Sequence, residues 1–143
     1  MRHQRTIRFL TRDGAGQFVA AFAVIRGTAV GWDAWGEGAD PQQLAQVSIP
    51  LDSASVFRTV ALTRSSYVGP LPADGLSRGF LEAFGRSPRT VFLYPIEVKS
   101  RIVALLYGDS GPRPVSQRRM SDLLLFCREL PAAFADLIVH RKQ

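Results

Sequence analysis

The chain has 143 residues, a length that suits one domain with a core of its own. Its residues are 46% hydrophobic and 21% charged, as in ordinary soluble globular proteins, and its single cysteine, Cys127, excludes an internal disulfide framework or a multi-cysteine metal site. The net charge of +6 is carried by 16 Arg and two Lys and favours anionic partners in general, while His3 and His140 lie too near opposite ends to build a His-centred metal or catalytic cluster.

In chain order, residues 4–12 place Ile7 and Leu10 on one side and Arg5, Arg8 and Arg12 around the other, which predicts a short amphipathic helix ended by Gly14-Ala15-Gly16. These arginines followed by Phe18–Ile25 resemble a short secretory signal, but Asp13 and the two glycines interrupt it and no small-residue cleavage site follows. No apolar run approaches the ~20 residues of a membrane span, so a cytoplasmic domain is expected. Phe18–Ile25 and Ala29–Trp35 read as strands joined at Arg26-Gly27. Residues 36–41 are a loop by composition.

Val47–Leu51 reads as a short strand that Pro50 confines to an edge. A helix follows, capped by Asp52 or Ser53, with Val56, Phe57, Val60 and Ala61 as its buried stripe. Tyr67–Ala73 is a proline-rich connector, and Leu76–Phe84 a short helix with Phe80, Leu81 and Phe84 inward, stopped by Gly85.

The stretch from Thr90 to Gly111 organises the rest. Two apolar arms, each rich in β-branched and aromatic residues, fold on a tight turn at Lys99-Ser100. Neither arm alternates cleanly between apolar and polar, so both faces of this hairpin should be covered, at the centre of a sheet between layers. A last helix opens at Ser116 and carries a broad apolar face from Met120 to Ile138, interrupted by Pro131. The order of elements fits a layered α+β domain with an antiparallel sheet.

Few residues announce chemistry. Gly14-x-Gly16 and Gly36-x-Gly38 lack the third glycine of a dinucleotide loop. Ser53 and Ser55 have no nearby histidine to activate them and suit helix capping. Cys127 lies among leucines as a small hydrophobe, and Asp109 suits capping of the turn after its strand, with a ligand contact as the alternative. Trp32 and Trp35, three apart on a strand, should face opposite sides. No nucleophile–base pair or carboxylate pair has a sensible placement, so an enzyme is not expected.

Three passages together resemble a GAF domain, the small sensory module of bacterial signalling proteins: Phe18–Gly36 ending in G-W-D-A-W-G, Ile49–Phe57 where a short strand meets a helix, and Tyr94–Ile102 running on to Leu106-Tyr107-Gly108-Asp109. A PAS-like or other profilin-like sensor fold is the competing architecture. The resemblance covers nearly the whole chain, from about residue 5 to 141, and 1–143 is expected to be one domain. It implies a central antiparallel sheet with N- and C-terminal helices on one face and short helices and loops roofing the other.

Under that roof Arg58, Tyr67, Phe80, Phe84, Tyr94, Tyr107 and Asp109 are the candidates to line a pocket, plain core packing being the simpler role for the rings. The chain departs from the ligand-binding patterns of the family. It lacks the N-K-F-D-E signature of cyclic-nucleotide binding, a Cys-His pair in the roof for a bilin, and the several cysteines of the free methionine sulfoxide reductases. No cofactor is expected.

The resemblance implies a signalling or regulatory role through protein partners, with a small-molecule ligand as a further partner that a roofed pocket could sense. The surplus apolar side chains of the terminal segments add a homodimer, through Ile7, Leu10, Leu125, Phe134, Ile138 and Val139. The alternative is a nucleic-acid-associated transcriptional regulator using the arginine clusters. It lacks a recognition helix or an aromatic–basic strand face, so only weak, salt-sensitive DNA binding is expected.

Overall fold

The structure, a computed structural model, describes residues 18–70 and 72–112; the proposed terminal helices, Cys127 and the six dimer candidates lie outside the described residues. Six strands and three short helices follow one another: β1 (Phe18–Ile25), β2 (Thr28–Gly36), α1 (Pro41–Leu44), β3 (Ser48–Pro50), α2 (Val56–Thr63), β4 (Tyr67–Gly69), α3 (Gly75–Ala83), β5 (Val91–Val98) and β6 (Arg101–Asp109). The strands form one antiparallel sheet in the order β3-β2-β1-β6-β5-β4, so the fold is α+β with an antiparallel sheet. Of the expected central hairpin, β6 is central beside β1, and β5 lies one strand in from the edge.

Both hairpins close on two-residue turns whose central residues all have positive φ: Arg26 (50°) with Gly27 (74°), and Lys99 (52°) with Ser100 (66°). Positive φ at both positions is the type I′ requirement, which matches strand twist. Because Ala23 of β1 pairs with Ala104 of β6, the two turns lie at the same end of the sheet.

Two apolar clusters occupy opposite faces. The first gathers Phe18, Phe22, Phe57, Phe80, Leu105 and Tyr107 under α2 and α3, with ring centroids of Phe22 at 5.2 Å from Phe57 and 5.3 Å from Phe80 in edge-to-face contact. The second gathers Val19, Ala21, Phe92, Ile96, Ala104 and Leu106. Two buried faces explain why neither arm of the β5–β6 hairpin alternates.

Several local expectations are corrected. The cap of α2 is Ser55, whose extended backbone lets its Oγ accept from the Arg58 amide at 3.1 Å, while Asp52 and Ser53 are exposed. Asp74 caps α3 and also accepts from the Val56 amide at 3.1 Å, tying the two roof helices together. The expected loop at 36–41 runs into a short helix, because Asp40 accepts from the Gln42 and Gln43 amides and Pro41 sits at its first turn. The connector after α2 contains β4, an edge strand.

Trp32 and Trp35 do not face opposite sides. The register slips between Ala21↔Asp33 and Phe22↔Gly31, leaving Trp32 as the extra residue of a bulge, and both indoles pack on the second cluster. Beside the bulge, α1 approaches β2 so closely that a Cβ on Gly31 would lie 1.8 Å from the Leu44 carbonyl oxygen. Only glycine fits there.

Candidate functional site

The structure brings together four of the seven pocket candidates. Phe80, Phe84, Tyr107 and Asp109 meet at the end of the sheet opposite the two turns, with Phe18 among them: Phe80 lies 5.2 Å from Tyr107 and 5.6 Å from Phe84, centroid to centroid. Of the other three, Tyr67 packs at the edge of the same roofed cluster, while Arg58 and Tyr94 lie elsewhere. Arg58 is half-buried on α2, and Tyr67 is half-buried on β4 with its hydroxyl donating to the Pro70 carbonyl at 2.6 Å. Tyr94 is on the opposite face, stacked 6.0 Å from Phe92, since it pairs with Leu106 while Tyr107 pairs with Leu93.

The residue missed from sequence is Arg86. Gly85, at φ 64°, ends α3 and turns the chain so that the Arg86 guanidinium enters this end of the sheet. It donates to Asp109 Oδ1, reaches toward the Glu37 carbonyl at 3.4 Å, and lies 5.1 Å over the Phe18 ring. Asp109 is fully engaged. Its Oδ2 accepts from the Tyr107 hydroxyl at 2.5 Å and its Oδ1 also accepts from the Gly111 amide at 2.8 Å, which caps the following turn as expected. The side chains of Arg86 and Asp109 are 9% and 0% exposed. Burial first, then the neighbouring Asp109 charge, push the Tyr107 hydroxyl far above its ordinary pKa of 10.0, against a smaller opposing effect of Arg86.

Among the described residues, the space beneath the roof is nearly filled. The cavity bounded by Phe57, Phe80, Leu81, Leu93 and Tyr107 holds about 10 Å³, scarcely room for one water. A larger concavity of about 500 Å³ lies elsewhere, between the end of α2 and the outer side of β5, lined by Arg64, Ser65, Ser66, Tyr94, Pro95, Glu97 and Ile102. Among the described residues no cluster of His, Cys, Asp and Glu could hold a metal ion, and no helix is long and apolar enough to cross a membrane.

No family model and no curated protein matches the chain. Solved structures do. The GAF domain of a two-component sensor histidine kinase from Bacillus halodurans superposes with a TM-score of 0.72 at 14% identity, covering 96% of this chain and 94% of that one. A methyl-accepting chemotaxis protein fragment gives 0.69 at 18%, covering 94% and 87%. A type II free methionine-R-sulfoxide reductase from Thermoplasma acidophilum gives 0.66 at 16%, covering 98% and 90%. At these identities the likeness establishes the fold alone, which is GAF-like.

Proposed function

We propose that this domain is a non-enzymatic regulatory module of a signalling system, acting by binding other protein chains and not by turning over a small molecule. The observation that carries this reading is the filled roof. Where a sensory domain of this shape would need hundreds of Å³ for a metabolite, the cavity that Phe57, Phe80, Leu81, Leu93 and Tyr107 bound beneath the described roof holds about 10 Å³. The similar structures from a sensor kinase and a chemotaxis protein agree with a signalling setting. Native mass spectrometry of the purified protein should give the bare chain mass. A small molecule retained at one per chain would overturn the reading.

The reductase neighbours favour a second reading, an enzyme acting on free methionine sulfoxide. It is the weaker one, because the single cysteine leaves the chain no second thiol of its own to resolve an oxidised one as a disulfide. Incubation with free methionine-R-sulfoxide and dithiothreitol should yield no methionine. The module is further proposed to be cytoplasmic and to act as a homodimer through residues 4–12 and 120–140, which light scattering at micromolar concentration would register as a doubled mass.

A further inference from the structure

Three features converge at the end of the sheet that carries the turns. The first is charge. Arg26, Arg64, Lys99 and Arg101 are all exposed there, three of them (Arg26, Arg64, Lys99) at positive φ of 50–57°, where Gly or Asn would be the ordinary choice. Long basic side chains therefore stand at turn positions that cost backbone energy to fill.

The second is an open sheet edge. β4 pairs only with Val91, Phe92 and Leu93 of β5, so among the described residues no strand covers Tyr94–Val98 on its outer side. Pro95 removes one donor from that edge, which blunts ladder pairing with copies of the same chain and leaves recognition to side chains. The third is the 500 Å³ groove running along this edge, with Tyr94, Pro95 and Ile102 as apolar lining and the Ser65 and Ser66 segment as its far wall. Its one carboxylate, Glu97, is held by Arg64 at 2.6 Å in a pair that is 52% and 42% exposed.

We infer that this groove is a docking site for an acidic, extended segment of a partner protein, its carboxylates met by Arg64, Lys99 and Arg101 and its apolar side chains by Tyr94, Pro95 and Ile102. Charge complementarity selects the sign of the partner. The apolar lining selects a peptide over nucleic acid or lipid headgroups, since phosphate contacts alone do not need it. Glu97 occupies Arg64 in the free domain as a stand-in for the partner's carboxylate, and an exposed ion pair of this kind exchanges at little cost.

The inference rests on the reading of the domain as a protein-binding module, and the test separates the two. The full chain is applied to an array of short peptides that alternate Glu or Asp with aromatic or aliphatic residues, with scrambled basic peptides, single-stranded DNA and phosphatidylserine vesicles as comparators. Acidic peptides should bind in a salt-sensitive manner, with NMR shift changes confined to residues 64–66 and 94–102. The double variant K99E/R101E, exposed and outside the core, should weaken them by about tenfold or more. No acidic peptide binding, shift changes mapping elsewhere, equal loss of binding for all anionic probes, or a preference for DNA or vesicles would overturn the site. If the protein still carries no small molecule in native mass spectrometry, the broader reading survives that failure; if it carries one, that reading falls whatever the array shows.

Discussion

The two ends of the sheet hold the same chemical pair in opposite circumstances. At one end Arg86 and Asp109 are buried, with the guanidinium over the Phe18 ring, joined by the Tyr107 hydroxyl and the Gly111 amide. At the other, Arg64 and Glu97 meet at 2.6 Å on an open surface. In the first case the charges have left water, and every remaining lone pair must be met within the protein. In the second, solvent screens both partners and the geometry is optional. A buried network fixes loops in place, and an open pair on a groove is available for exchange. Here the buried end joins the α3–β5 connection, the β2–α1 loop and the end of β6, and the open end lies where a partner can reach it.

The sharpest way to break this contrast is to remove Arg86. Arg86→Ala leaves Asp109 buried without its main counter-charge and should cost about 3–5 kcal/mol, read as a lowered midpoint in urea; a loss as small as that of a surface substitution would mean that water reaches this end. Leu105→Ala, in the roofed cluster on the central strand, should cost roughly 2–5 kcal/mol by the same measurement. A loss below about 1 kcal/mol would mean that β6 is not central to the core. Gly31→Ala drives a methyl into the Leu44 carbonyl and should cost about 1–3 kcal/mol, with α1 losing protection in hydrogen exchange before the rest of the sheet.

Tyr107→Phe removes one hydrogen bond to Asp109 and should cost about 1 kcal/mol near neutral pH. Its signature is in alkali. The folded state holds the Tyr107 proton above its ordinary value of 10.0, so this contribution is intact below that pH and is lost as pH rises, because the unfolded chain ionises first. Ultraviolet titration compared between parent and variant should therefore show the Tyr107 phenol silent until unfolding, and the variant should lose less stability above pH 10 than the parent; ionisation of Tyr107 in the folded parent near its ordinary value would contradict the buried network.

How far the sequence reveals these two ends follows from the range of the signals. Both hairpins are legible because apolar runs, Arg26-Gly27 and Lys99-Ser100 are local features, and their positions match. The helix cap at Ser55 is misplaced by two or three residues because four capping-type or small residues stand in a row. Asp40-Pro41 carried a usable helix-start signal that the surrounding glycines obscured. The bulge at Trp32 leaves no mark in periodicity, so alternation puts one indole on the wrong face. Tyr94 is moved off the roof by a second bulge, between Ile96 and Glu97: an unbroken register from the turn at Lys99-Ser100 would pair Tyr107 with Phe92 and put Tyr94 on the same face, so the sequence alone misplaces it. The partnership of Arg86 with Asp109 spans 23 residues, and nothing near Arg86 distinguishes it from the solvated arginines around it.

The smallest expected effect on stability bears most directly on function. Glu97→Ala breaks a pair in which both side chains are substantially exposed, and such pairs contribute about 0–1 kcal/mol, so the unfolding midpoint should hardly move. If the pair were there to brace the end of α2 against β5, the loss would exceed that range and peptide binding would weaken with it. If Glu97 instead shields Arg64 until a partner's carboxylate arrives, its removal frees the guanidinium and adds one unit of positive charge to the groove. Affinity for acidic peptides should then rise several-fold at low salt and converge with the parent as ionic strength increases. Unchanged stability together with tighter, salt-dependent binding is the outcome that separates an exchangeable contact from a brace, and calorimetric titration of the parent and Glu97→Ala at two salt concentrations is enough to see it.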